Sequence, residues 1–243
     1  MSMCSSVKRM DVDNHLGLEI PLLQPDEQLI EHTGFKLVYN ENHEQANWVA
    51  YELTLEETRR GVERSDKFLP DQKVSTGTAT PEDYKGSGYD RGHLAPAADM
   101  SWSAQAMKES FYFSNISPQV PAFNRGIWKR LEEQVRTWAQ QDTAAFIVTG
   151  PVLSDSLPVI GPNQVSVPAY FYKALLVYRY QNQKAIAFIV PNKKSGLPLK
   201  HFAVTVDSLE HITGIDFFPA LPDVIESKLE SELCLPCWRI KEE

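Results

Sequence analysis

Gly86-Ser87-Gly88-Tyr89-Asp90-Arg91-Gly92-His93-Leu94-Ala95-Pro96-Ala97-Ala98 ends a long polar stretch and opens an apolar one. Side chains alternate along an extended segment, so Arg91 and His93 point to the same side of it. A cation and a base then face one pocket. Gly92 between them leaves the backbone uncluttered for close approach of a phosphate. Histidine titrates near neutrality, with an unperturbed pKa of about 6.5. A surface ion pair beside a histidine capped by backbone would use the same residues.

Upstream, residues 64–92 are polar and rich in Gly, Pro, Asp and Thr, which is loop chemistry. A long loop inside a compact domain is often functional. Phe35–Asn40 and Asn47–Leu53 read as two antiparallel strands joined by a polar turn. Downstream, Ala104–Glu109 reads as a short helix and Phe111-Tyr112-Phe113 as a buried strand. Trp128, Leu131, Val135 and Trp138 recur at helical spacing and form one apolar stripe. Ala145–Val148 reads as a core strand ending at Gly150-Pro151. Tyr170–Tyr180 and Lys184–Val190 read as a hairpin closed by Gln181-Asn182-Gln183. Residues 202–213 contain a helix that Gly214 ends. The fold class is α+β with mainly antiparallel strands. Residues 1–33 show no periodicity and read as an N-terminal extension; residues 34–243 read as one domain.

A second constellation is Asn115 with Asn124-Arg125-Gly126-Ile127-Trp128-Lys129-Arg130-Leu131-Glu132. On a regular helix, Asn124, Trp128 and Glu132 fall at i, i+4 and i+8, along one side. An amide oxygen and a carboxylate on one face suit a hard cation that keeps part of its water. Taken singly, Asn124 is equally a helix N-cap and Glu132 part of a solvated face.

The 243 residues are 42% hydrophobic, enough for a sizeable core. The net charge of −8 argues against tight hold on a polyanion, although a local basic cleft is compatible with it. No apolar run approaches the roughly 18–20 residues needed to span a membrane. Met1–Met10 has no apolar stretch of signal-peptide type. Cys234 and Cys237 lie in a tail without a second ligand pair for zinc, which leaves a local disulfide or two thiols; Cys4 stands apart.

The Gly86–Ala98 run resembles the signature of the DNA/RNA non-specific endonuclease family, the endonuclease G and secreted bacterial sugar-non-specific type. Phe113–Gln119 and Asn124–Glu132 resemble its second signature, and Asn47–Tyr51, Thr149–Pro151 and Phe202–Asp207 extend the similarity over roughly residues 35–225. The resemblance implies a ββα-metal (His-Me finger) fold with a central, mostly antiparallel sheet flanked by helices. It implies an endonuclease that hydrolyses DNA and RNA with little sequence preference and depends on Mg2+, which Mn2+ can replace. It places His93 as general base, Asn124 as the direct metal ligand and Glu132 on the metal's hydration shell. Arg91 and Arg64 would contact phosphate, and Asn115 would orient His93 or a metal-bound water. Products would carry 5′-phosphate ends. Relatives of this kind are often homodimers. Because such an enzyme endangers its own genome, an extracytoplasmic location, secreted or periplasmic with the leader removed, is expected. Three other readings compete: a nucleic-acid binder without catalysis, a hydrolase of small phosphodiesters, and a thiol-redox protein using Cys234 and Cys237.

Overall fold

Stretches rich in Val, Ile, Phe and Tyr recur along the chain, the central ones as nearly continuous apolar runs. A computed structural model describes residues 17–59, 61–179 and 182–240. In chain order its elements are β1 (Leu29–Glu31), β2 (Lys36–Asn40), β3 (Gln45–Thr54), α1 (Pro81–Tyr84), β4 (Asp90–His93), α2 (Ala104–Glu109), β5 (Ile116–Gln119), α3 (Pro121–Phe123), α4 (Lys129–Asp142), β6 (Ala144–Pro151), β7 (Val159–Ile160), β8 (Val165–Ser166), β9 (Tyr170–Arg179), β10 (Asn182–Pro191), β11 (Ala203–Val204), α5 (Val206–Thr213) and α6 (Asp223–Ser231).

Seven strands form one antiparallel sheet in the order β1-β2-β3-β6-β9-β10-β11. Alternation along β3 divides the core. Val49, Tyr51 and Leu53 face the layer containing Leu131, Val135 and Trp138 of α4. Trp48 and Ala50 face Val206 and Leu209 of α5 and Leu229 of α6. Helices therefore cover both sheet faces, which is why β6 is buried at every position. Each large side chain so buried stabilises the fold by about 1.5–3 kcal/mol.

Strands β4 and β5 form a separate antiparallel ribbon, with Asp90 opposite Gln119 and His93 opposite Ile116. The ribbon followed by α3 and α4 is a ββα unit. Three hydrogen bonds fasten it to the main sheet and to the end of β10. The Ser117 hydroxyl donates to Gln45 Oε1 (2.5 Å), Asn192 Nδ2 donates to the Pro118 carbonyl (3.1 Å), and the Val120 N–H donates to Asn192 Oδ1 (2.8 Å).

Several expectations change in detail. Residues 1–16, with Cys4, lie outside the described residues. Within the stretch read as an extension, however, Leu29–Glu31 pair with β2, Leu18 is buried, and Lys36 Nζ meets Glu19 at 3.1 Å. Phe111 and Phe113 are fully buried, but they form no regular strand. Phe113–Asn115 is a 3-10 turn, and the strand begins at Ile116. A three-residue apolar run has no periodicity to separate these cases. The hairpin register pairs Asn182 with Arg179, so Asn182 and Gln183 belong to β10, and residues 180–181 lie outside the described residues. Cys234 and Cys237 form a disulfide. No helix among the described residues is long and apolar enough to cross a membrane.

Candidate active site

Because β4 is extended, Arg91 and His93 do share a side. The Arg91 guanidinium lies over the Phe68 ring, 4.1 Å from its centroid, and the His93 ring is 5.7 Å from the same ring. His93 meets Phe111 edge-on at 4.7 Å, and the Arg64 guanidinium lies 4.9 Å from the Phe111 centroid. Arg64, Arg91 and His93 therefore converge on the Phe68–Phe111 pair, which itself packs edge-on at 5.0 Å.

Burial, followed by the positive fields of Arg64 and Arg91, pushes the His93 imidazole down to about 3. Its Nε2 is buried without a hydrogen-bond partner. The ring is thus held neutral, the state in which it can accept a proton. The stability consequence has a definite sign. Below about pH 6.5 the unfolded chain binds a proton at His93 that the folded chain refuses, so stability falls with falling pH until the folded pKa is passed. Relative to a His93→Gln variant, the wild type should lose about 2 kcal/mol between pH 7.5 and pH 5, from 1.36 kcal/mol per unit. Urea unfolding at the two pH values measures this; an unchanged difference would contradict the neutral ring.

Gly92 has a different purpose from the one expected. A Cβ there would lie 2.1 Å from Gln119 Cδ. The space belongs to the buried Gln119 amide and is closed to a phosphate.

Asn124 does not sit on a regular helix. Gly126 (φ −109°, ψ −109°) kinks the backbone within a wide turn over Asn124–Trp128, and α4 begins at Lys129. Asn124, Trp128 and Glu132 therefore do not share one straight helical side. Trp128 is fully buried against Phe123 and Phe171, while Asn124 lines an open cleft with Asp90, Arg91 and Arg125. Asn124 is not an N-cap either. Its Nδ2 donates to Asp90 Oδ2 (3.0 Å), which turns Oδ1 outward as the free end. Arg125 clamps the same carboxylate through Nε (2.9 Å) and Nη2 (2.7 Å), so Asp90 is neutralised and serves to orient the amide.

Glu132 is half-buried and its side chain has no hydrogen-bond partner among the described residues. Burial pushes its carboxyl up to about 7 against the opposing field of Lys173. Lys173 is fully buried in β9. Its Nζ donates to the Leu94 carbonyl (3.2 Å) and to Thr149 Oγ1 (3.1 Å), and lies 4.5 Å from the Trp128 centroid. It links the residue after His93 to the Glu132 region. Beside it, Asp99 accepts from Tyr51 Oη (2.8 Å) and Arg136 Nη1 (2.6 Å). Sequence reading missed Lys173 and Asp99. A single lysine inside the apolar run Tyr170–Val177 was the available signal for the first.

Asn115 is fully buried, and its contacts are with backbone. Oδ1 accepts the Ala95 N–H (2.9 Å), and Nδ2 donates to the Ala95 carbonyl (2.9 Å) and the Ser110 carbonyl (2.8 Å). Both amide hydrogens are committed, so Asn115 does not donate to the His93 ring. It holds the chain just after His93.

A profile of the DNA/RNA non-specific endonuclease family matches residues 19–224. The chain belongs to this family. Mitochondrial endonuclease G of Bos taurus is 35% identical over 79% of this chain and 69% of that protein. The mitochondrial nuclease EXOG of Danio rerio is 37% identical over 84% of this chain and 63% of that protein. A nuclease of Nostoc sp. is 34% identical over 90% and 84%. A chain of the EndoG/EndoGI complex superposes with a TM-score of 0.76 at 31% identity, covering 80% of this chain and 86% of that one. The overall α+β fold is thus shared with a chain of that complex.

Proposed function

We propose that this non-specific endonuclease cleaves DNA and RNA with His93 as general base and a divalent cation bound directly by Asn124, with Glu132 on its hydration shell. The observation that carries the reading is the convergence of Arg64 and Arg91 on a neutral, half-buried His93 whose Nε2 is buried without a partner. Two exposed cations beside one imidazole suit a phosphodiester, and contacts to phosphate alone carry no sequence information. An anionic phosphate between the arginines offsets the field that depresses the imidazole, so its basicity rises when substrate is bound. His93 then takes the proton from the attacking water.

The residues fit a hard cation. The free Asn124 Oδ1 and the unpartnered Glu132 carboxylate are oxygen donors, which suit Mg2+ or Mn2+. When bound, the ion supplies positive charge against the reacting phosphate and the departing oxygen. Arg64 and Arg91 hold the phosphate, Asp90 orients Asn124, and Asn115 and Lys173 hold the backbone beside His93. The disulfide agrees with an extracytoplasmic location.

Water attacking opposite the 3′ oxygen leaves phosphate on the 5′ end. Fragments should therefore be substrates for DNA ligase without prior kinase treatment. Fragments that ligate only after 3′ phosphate removal and 5′ phosphorylation would reverse the assigned polarity.

A further inference from the structure

Helices α5 and α6 pack on the sheet face opposite α4 and bring several carboxylates together. Oxygens of Asp207 and Glu210 from α5 and of Glu230 from α6 lie within 4.8 Å of one another. Among the described residues no lysine, arginine or histidine forms an ion pair with any of the three.

Glu230 is the member that points to a ligand. It is only 6% exposed, and its Oε1 is buried without a hydrogen-bond partner. A buried carboxylate in that state is costly unless something completes it. Burial and the fields of Glu210, Glu226, Asp207 and Asp216 push its carboxyl up to about 9. The neighbours are anchored for a ligand role. Glu210 Oε1 accepts the Phe217 N–H (2.8 Å), which fixes its side chain, while Asp207 is exposed and opens the cluster to solvent.

We propose that Asp207, Glu210 and Glu230 bind a calcium ion that ties α5 to α6, separate from the residues assigned to phosphodiester cleavage. The donors are all hard oxygens. Oxygens on opposite sides of calcium stand about 4.6–5.2 Å apart, from bond lengths of about 2.3–2.6 Å, whereas magnesium confines them to about 4.2 Å and demands a regular octahedron. Carboxylates drawn from two helices, within 4.8 Å of one another and open to water on the Asp207 side, fit the larger ion that tolerates irregular geometry.

The test is thermal unfolding of the whole chain in chelator, in calcium and in magnesium, with equilibrium dialysis of radioactive calcium. Calcium at a hundredfold excess over its Kd should raise Tm by roughly 5–10 °C in the wild type and equally in Asn124→Ala. Glu230→Gln keeps the shape of a protonated carboxyl, so it should fold in chelator with nearly wild-type Tm and lose the calcium response. Asp207→Asn, at an exposed position, should weaken the response without touching the core. Dialysis should find a bound ion in Asn124→Ala that is absent from Glu230→Gln. A calcium response that survives in Glu230→Gln overturns the site, as does one that vanishes in Asn124→Ala. A wild type indifferent to calcium shows that Glu230 holds only a proton, and a larger response to magnesium overturns the choice of ion.

Discussion

Replacing His93 with alanine is expected to lower kcat on DNA by about 10²–10⁴-fold, the usual contribution of a positioned general base. KM should change little, because Arg64 and Arg91 keep their places on Phe111 and Phe68. A fall in kcat with unchanged KM marks an interaction made in the transition state. Added imidazole should restore part of the rate by entering the space the ring leaves beside Phe111. Single-turnover kinetics with and without imidazole check this. A variant that keeps more than a tenth of wild-type kcat would remove His93 from the base role.

Asn115→Ala is expected to act on the fold before the chemistry. It leaves the Ala95 N–H, the Ala95 carbonyl and the Ser110 carbonyl without partners in a fully buried place. Each unsatisfied buried group costs about 1–3 kcal/mol, so the loss should reach about 3–5 kcal/mol. Urea unfolding measures it. If stability is unchanged and only kcat falls, Asn115 acts on the reaction directly and the positioning role is wrong.

Much of this site was legible because its information is local. Alternation across Asp90–His93 placed Arg91 and His93 together, and β4 is extended as that reading requires. The two strands before the loop and the short helix Ala104–Glu109 are legible in local sequence and are present. What could not be read depends on contacts between distant segments. The kink at Gly126 removes Asn124 from the regular helix, and no spacing rule announces it. Phe68 and Phe111 become the platform for two arginines only when the long loop folds over α2 and the ribbon. Gly92 looked like room for a phosphate until Gln119 was seen to fill that room. Lys173 reaches Leu94 across a sequence separation of 79, so its role exists only in the tertiary structure.

The central claim, cation-dependent cleavage of nucleic acid without regard to sequence, is tested most directly by one assay. Supercoiled plasmid, single-stranded DNA and RNA are each incubated with the wild-type chain in magnesium, in chelator, and in chelator followed by excess magnesium or manganese. All three polymers should be cut to heterogeneous fragments in magnesium, left intact in chelator, and cut again when either cation is restored. Cutting that persists in chelator, or polymers left intact while a small phosphodiester is hydrolysed, would contradict the account.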